Sequence, residues 1–193
     1  MIFWELIPIG LVLFAAFSIV WFTLKTGISP MPSSARVIRK VCSLSTELSP
    51  ESIYELGSGW GGLAMALAKK NSTSTVTGYE LSTLPWLVSK VRNRLYGAEN
   101  LTLIRKDFMA ANLTDADLII CYLYPEAMTK LAHHLKTQLT GEIKVITHTF
   151  RLPGFQPKTT ETLADLYRTP IYLYELKASE FYESSGCFSD LCK

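Results

Sequence analysis

Four glycines lie close together in residues 53–62, which read IYELGSGWGG, and this cluster constrains the fold more than any other feature. An apolar, β-branched start leads into the glycines, and residues 63–70 then have the composition of a helix. Glycine permits positive φ and lets a ligand approach the backbone, because it has no Cβ atom. The N-terminus of the following helix directs N–H groups and a partial positive charge toward the turn. The segment therefore predicts a strand, a tight turn and a helix that together bind a nucleotide-type cofactor.

Two classes of cofactor site use glycine spacings that this turn satisfies. Gly57, Gly59 and Gly62 fit the G-x-G-x-x-G pattern of dinucleotide-binding proteins. Glu55 followed by Gly57, Gly59 and Gly61 fits E-x-G-x-G-x-G, the pattern of class I S-adenosylmethionine-dependent methyltransferases. An acid beside the turn repels the pyrophosphate of NAD, whereas it attracts a sulfonium or an ammonium group. The sequence favours S-adenosylmethionine, with NAD and a purely structural turn as the alternatives.

Residues 6–24 carry no charged side chain and would span about 28 Å as a helix, which is close to the thickness of a bilayer core. A cleavable signal peptide fits less well, because no Lys or Arg precedes the apolar run. A buried core helix is the other alternative, but the run is apolar around its whole circumference. We expect residues 1–25 to form a transmembrane anchor and residues 26–35 a linker.

Charges and cysteines predict where the rest of the chain lies. The basic residues follow the apolar run, so the positive-inside rule places the remaining residues in the cytoplasm, as in a single-pass protein of the bacterial inner membrane. The cysteines show no C-x-x-C spacing, which fits a reducing compartment and predicts no metal site. A net charge of +2 gives no indication of nucleic-acid binding.

The chain after the linker alternates apolar strand patterns with helical ones. The pattern predicts helices over 36–48, 84–96 and 127–139, and strands over 75–80, 101–105, 117–122 and 143–150. In the second of these helices we expect the apolar residues to face inward: Leu84, Leu87, Val88, Val91 and Leu95. Two strands of a hairpin follow at 158–167 and 169–176. The predicted fold is an α/β, Rossmann-like class I methyltransferase sheet with a C-terminal antiparallel hairpin over residues 36–177, preceded by one transmembrane helix and followed by a tail at 178–193.

Three stretches of sequence carry a resemblance to a known family: ELGSGWG at 55–61, GYEL followed by PWLV at 78–88, and CYLYP at 121–125. Over roughly residues 35–150 the chain resembles bacterial membrane-anchored class I methyltransferases. It is also similar to the mitochondrial protein-lysine methyltransferases of the ATP synthase c-subunit and the adenine nucleotide translocase. Trp60 stands where many relatives have an acid, and the N/D-P-P-Y tetrad of adenine N-methyltransferases is absent, which argues against DNA as the substrate.

The strand ends and the resemblance together indicate the site residues. An acid at the end of the second strand, Glu80, is placed to bind ribose hydroxyls. The resemblance implies that Asp107 accepts a hydrogen bond from the adenine amino group and that Phe108 packs on the ring. The candidate cofactor-binding residues are Glu55, Gly57, Ser58, Gly59, Gly61, Glu80, Leu81, Asp107 and Phe108.

The loop after the fourth strand is the candidate acceptor pocket. Tyr122 and Tyr124 lie at the carboxyl end of that strand, where ligands of open α/β sheets bind, and their rings can hold an ammonium group. Glu126 is a candidate base, although its place early in a helix also suits the helix dipole. The resemblance implies methylation of a lysine ε-amino group in a membrane or membrane-associated protein. A lipid-soluble small molecule as acceptor, and a non-catalytic nucleotide-binding membrane protein, are the alternatives.

Overall fold

The computed structural model describes residues 7–10, 12–13, 17 and 32–178 of the 193-residue chain. The helices are α1 (Ala35–Leu48), α2 (Gly62–Lys70), α3 (Thr83–Tyr96) and α4 (Pro125–Gln138), with a 3-10 turn at Phe108–Ala110. The strands are β1 (Ser52–Leu56), β2 (Thr75–Glu80), β3 (Leu101–Arg105), β4 (Leu118–Cys121), β5 (Glu142–His148), β6 (Thr159–Thr162) and β7 (Pro170–Lys177). The elements lie close to the segments that the sequence pattern predicts.

The strands described within residues 32–178 form one seven-stranded sheet in the order β3-β2-β1-β4-β5-β7-β6. Strands β1 to β5 are parallel, whereas β7 is antiparallel to β5 and β6 is antiparallel to β7. The prediction of a Rossmann-like sheet that ends in an antiparallel hairpin is confirmed. The strand order reverses between β1 and β4, so the ligand crevice of such a sheet is expected outside the carboxyl ends of these two strands.

Apolar side chains cover both faces of the sheet. On one face Val41 of α1 and Leu67 of α2 pack with Ile53 and Ile120 of the sheet. On the other face Met128 and Leu131 of α4 pack with neighbouring strand residues. All four residues of β4 are buried, because alternate side chains of this central strand enter the two clusters. The glycine turn therefore follows directly from a strand whose Ile53 and Leu56 are buried in the core.

Helix α3 packs against the domain with the face opposite to its apolar row, whereas the sequence predicts that the apolar row faces inward. Pro85 and Ser89 are its buried residues, whereas Leu87, Val91 and Leu95 are 49%, 51% and 64% exposed. The expectation of an inward orientation was wrong for Leu87, Val91 and Leu95, while Leu84 and Val88 are partly buried. The reason is close packing: a Cβ atom added at Gly61 would lie 2.7 Å from the Cβ atom of Ser89. Position 89 therefore has no room for a large inward side chain, whereas Trp86 of the same helix packs against the core.

The predicted transmembrane segment lies mostly outside the described residues. Those of its residues that are described, at 7–10, 12–13 and 17, are helical and exposed. Among the residues that the structure describes, none of the helices is both long and apolar enough to cross a membrane. Residues 179–193 of the predicted tail also lie outside the described part.

Candidate active site

A cavity of about 800 Å³ opens at the carboxyl ends of β1, β2 and β4. At one end it is lined by the glycine turn and by residues that follow β2 and β3. At the other end it is lined by the loop after β4, by Phe150 after β5, and by Pro32 and Ser33 ahead of α1. One continuous space therefore joins the predicted cofactor loop to the predicted acceptor loop.

The glycine turn is held in shape by hydrogen bonds within the protein. Gly57, Gly59 and Gly61 have φ values of +78°, +51° and +75°, which only glycine adopts without strain. The N–H groups of Gly57 and Ser58 both donate to the carbonyl of Tyr79, at 2.9 and 2.8 Å. The Gly61 N–H donates to the carbonyl of Ser58 at 2.8 Å. These three amides therefore donate within the protein and fix the shape of the crevice.

Glu80 anchors the turn from the neighbouring strand. Its carboxylate accepts the N–H of Gly59 at 2.8 Å and the N–H of Ser82 at 2.7 Å. The side chain is buried and lines the cavity. Two carboxylate oxygens offer about four acceptor positions, so lone pairs remain for hydroxyl donors such as those of a ribose. Glu80 therefore holds the loop, and its assignment to the ribose stays a prediction.

Glu55 is buried at the base of the cavity beside the N-terminus of α2. Its carboxylate accepts the backbone N–H of Ala64, and its Oε2 atom has no hydrogen-bond partner among the described residues. Burial, and secondarily the negative charge of Glu80, raises the pKa of Glu55 to about 8. A ligand with a positive charge would relieve both effects. These features fit S-adenosylmethionine, whose sulfonium and ammonium groups are cationic, better than the pyrophosphate of NAD.

Most of the other predicted cofactor residues also face the cavity. Leu81, Asp107 and Phe108 line it beside Glu80. Asp107 caps the 3-10 turn by accepting the N–H of Met109 at 2.9 Å, and its side chain is exposed. Leu81 is 41% exposed. A hydrogen-bond acceptor and apolar groups thus lie side by side in this wall of the cavity.

Ser58 and Gly61 are the two predicted cofactor residues that do not line the cavity. The Oγ atom of Ser58 is buried and has no partner among the described residues. Gly61 packs on Ser89 of α3. Both residues shape the turn from behind its ligand-facing surface.

The acceptor end of the cavity is aromatic. Tyr122, Tyr124 and Phe150 line it. The ring of Tyr122 stacks on His148 with 4.2 Å between ring centroids, and lies 6.2 Å from the ring of Phe150. The lining acids Glu55, Glu80 and Asp107 belong to the cofactor end, so the described walls of the acceptor end carry no carboxylate.

His148, the last residue of β5, was not among the predicted site residues. The imidazole is buried behind Tyr122, with Nε2 3.1 Å from Ser33 Oγ and Nδ1 3.2 Å from Thr149 Oγ1. Burial lowers its pKa to about 4, so the ring is neutral at pH 7. The available signal was a polar residue that ends an apolar strand at the same edge of the sheet as the tyrosine loop.

Glu126, the candidate base, does not line the cavity. It pairs with Lys130 at 2.7 Å, and both side chains are largely exposed. Lys130 itself lines the cavity. No cluster of metal-ligating side chains occurs in the described part of the chain.

Three relatives share sequence with this chain. A protein-lysine N-methyltransferase of Saccharolobus islandicus is 20% identical over 75% of this chain and 91% of its own length. The adenine nucleotide translocase lysine N-methyltransferase of Mus musculus is 31% identical over 65% of this chain and 54% of its own. The lysine N-methyltransferase of the ATP synthase c-subunit from Homo sapiens is 29% identical over 55% and 45%. The chain thus spans about half the length of the two mammalian relatives.

Solved structures share the fold. An RNA methyltransferase of Salinibacter ruber in complex with S-adenosyl-L-homocysteine superposes with a TM-score of 0.66 and 23% identity, over 76% of this chain and 94% of that one. A ribosomal protein L11 methylase of Lactobacillus delbrueckii subsp. bulgaricus has a TM-score of 0.59 and 19% identity, over 75% and 80%.

The family model of the ANTKMT methyltransferase domain matches residues 55–159, which is more than half of the chain. The matched range includes the glycine turn, Glu80 and the tyrosine loop. The chain therefore belongs to the ANTKMT methyltransferase domain family and is an S-adenosylmethionine-dependent methyltransferase.

Proposed function

We propose that this methyltransferase modifies the ε-amino group of a lysine in a membrane or membrane-associated protein. The observation that carries the proposal is the continuity of the cavity from the glycine turn to an aromatic end without a lining carboxylate. Aromatic rings can pack on the alkyl stem of a lysine and hold its ammonium group over a π-face. The names of the three relatives all specify a lysine as the acceptor, which supports the same choice.

The chain's own residues would position and desolvate the two reactants. When bound, S-adenosylmethionine supplies a methyl group on a positively charged sulfur, which is already activated for transfer. Glu80 and the fixed glycine turn hold the nucleoside side, while Tyr122 and Tyr124 align the amine with the methyl group.

The amine needs a free lone pair to form the new N–C bond. The aromatic end of the cavity favours the neutral amine, because burial lowers the pKa of an amine. The proton leaves for solvent, so the proposal requires no carboxylate base at this end.

The proposed location is a membrane surface. Residues 6–24 are apolar and uncharged, which supports a single-pass anchor with the catalytic domain on the cytoplasmic side. The mouse and human relatives are named for the adenine nucleotide translocase and the ATP synthase c-subunit, both of them membrane proteins, which supports a membrane-protein acceptor here.

The test incubates the purified full chain with S-adenosylmethionine carrying a labelled methyl group and with membranes from cells that lack the gene. Protein and lipid extracts are counted separately, and labelled proteins are analysed for lysines that gain a methyl group. We expect label in protein with the wild type and with the exposed-acid control Glu99→Gln, and little with Glu80→Gln. Label in the lipid extract alone would assign the enzyme to a lipid-soluble acceptor and would refute the lysine proposal.

A further inference from the structure

The outward face of α3 carries an apolar ridge formed by Leu87, Val91 and Leu95. These residues are four apart and so lie on one side of a helix with 3.6 residues per turn. Each is about half exposed or more, at 49%, 51% and 64%. Single exposed apolar residues are common, but an aligned row on the face opposite the buried Ser89 is not explained by packing within the described domain.

Basic residues border this ridge on both sides. With about 100° between successive residues, Lys90 and Arg94 fall on one edge and Arg92 on the other. Helix α3 contains no Asp or Glu. Arg105 extends the first edge, because it donates to Thr83 Oγ1 at 3.0 Å.

The segment around α3 is also predominantly basic. Residues 81–106 contain five basic residues and a single acid, Glu99. An apolar stripe between basic rows is typical of helices that lie in the interface of an anionic bilayer. The cores of protein–protein interfaces, in contrast, are depleted of charged residues, with arginine as the exception. The charge pattern therefore favours a lipid surface as the occupant.

The ridge adjoins the mouth of the active-site cavity. Leu81, two residues before the start of α3, is 41% exposed and lines the cavity. Arg92 lines the cavity as well and donates to the carbonyl of Trp60 at 2.8 Å. A surface that receives the ridge would also lie close to the acceptor opening.

The position of the linker is consistent with this arrangement. Pro32 lines the same cavity, and seven peptide units separate Lys25, which follows the apolar run, from Pro32. A fully extended chain of this length reaches about 25 Å. If the anchor proposed above spans a bilayer, the cavity lies within about that distance of the membrane. This supporting step and the choice of acceptor rest on the proposed function, whereas the docking of the ridge does not.

We propose that the α3 ridge docks into the headgroup region of an anionic bilayer and turns the acceptor opening toward the membrane. Apolar side chains of the ridge enter the boundary between headgroups and acyl chains, while Lys90 and Arg94 contact lipid phosphates. The proposed surface thereby restricts the enzyme to lysines near a membrane surface.

The test places an environment-sensitive fluorophore on the ridge of the full chain. The probe is attached at Val91→Cys in a background with Cys187→Ser and Cys192→Ser, since Cys42 and Cys121 are buried. The matched control carries the same probe at Leu166→Cys, an 88% exposed position in the turn between β6 and β7. Both proteins are mixed with an excess of vesicles that contain a lipid-borne quencher, either with pure phosphatidylcholine or with roughly 30% phosphatidylserine.

We expect quenching at position 91, and little at position 166, in the phosphatidylserine vesicles. Adding Lys90→Gln or Arg94→Gln should lower the ratio of docked to undocked protein about fivefold for each charge removed. Equal quenching at both positions would mean that the tether alone brings the domain near lipid, and this would overturn the proposal. Absence of quenching at position 91 would overturn it as well.

Two further results separate the possible failures. Flotation of the same samples reports the anchor: a chain that does not float with vesicles contradicts the anchor, whereas a floating chain with an unquenched probe contradicts the ridge alone. A probe at position 91 that responds to native membranes but not to protein-free vesicles would assign the ridge to a protein partner and refute docking on lipid.

Discussion

Replacing Glu55 by glutamine tests the charge state of the acid beneath the cavity. The pKa of this carboxyl is raised from 4.5 to about 8 in the folded protein. The unfolded chain therefore releases the proton near pH 4.5, while the folded protein retains it to about pH 8. Since the folded state binds more protons over this interval, stability falls as pH rises from 4.5 to about 8.

The size of this loss of stability follows from the interval between the unfolded and folded pKa values of Glu55. Each pH unit is worth about 1.4 kcal/mol, so the wild type should lose about 3 kcal/mol by pH 7 and at most about 5 kcal/mol above pH 8 through this group. Glutamine has the same shape and keeps an acceptor for the Ala64 N–H. The position of Oε2 has no donor among the described residues, so the new amide N–H₂ meets no opposing N–H group there. Glu55→Gln should therefore remove the penalty without adding a comparable one.

The assay is chemical denaturation of the full chain in non-ionic detergent without cofactor, repeated at several pH values from 5 to 8.5. The difference in unfolding free energy between Glu55→Gln and wild type should grow steadily with pH in favour of the variant. The exposed-acid control Glu99→Gln should run parallel to the wild type. Parallel profiles for Glu55→Gln and wild type would show that the Glu55 carboxyl ionises normally, and the argument from burial would be refuted.

Three other changes test the remaining site features. Glu80→Gln should lower the unfolding free energy by about 1–3 kcal/mol, because its amide N–H₂ would face a backbone N–H group. The same variant should weaken the binding of S-adenosylhomocysteine at least about tenfold, as measured by calorimetry. Gly61→Ala should lower the unfolding free energy by about 2 kcal/mol or more, because of its positive φ and the contact with Ser89. The control Gly62→Ala has no neighbour within 4 Å and should change the unfolding free energy by less than about 1 kcal/mol. Equal costs for the two variants would contradict the close packing of α3. The pKa of His148 is lowered from 6.5 to about 4, so the unfolding free energy of the wild type should fall by about 3 kcal/mol as pH falls from 6.5 to 4. His148→Phe should lose less stability over that range. The same acid sensitivity in the variant would refute the buried, neutral imidazole.

The strands were predictable because their signal is local. Strands β2 and β3 coincide with the apolar runs at 75–80 and 101–105. The first hairpin strand was predicted too long, over 158–167, and β6 ends at Thr162. The cause is a turn: Asp165 accepts the N–H and the Oγ1 hydrogen of Thr169, and this closes residues 165–169 into a loop.

The orientation of α3 was not predictable from periodicity. Its apolar row gives the correct helix but does not specify which side of the helix meets the sheet. Ser89 is selected for that side by its distance from Gly61, a contact between residues 28 positions apart. Exposed apolar residues on a helix can serve a surface outside the domain, and a pattern rule that assumes a single core assigns them inward.

The cofactor end was predicted in more detail than the acceptor end. Glu55 and Glu80 lie at fixed distances from a glycine motif, so their places follow from the motif and the strand order. His148 contacts Tyr122 through strand neighbours that are distant in sequence. The use of the loop amides within the protein also depends on Tyr79, which belongs to another strand.

The internal hydrogen bonds of the glycine turn have a kinetic consequence. Because Tyr79 and Glu80 already hold Gly57, Ser58 and Gly59, the empty crevice has the shape that the nucleoside meets. Association then involves little loss of backbone freedom, and its rate should depend on diffusion through the opening rather than on rearrangement of the turn. Differences in affinity among donor analogues should consequently come from their dissociation rates.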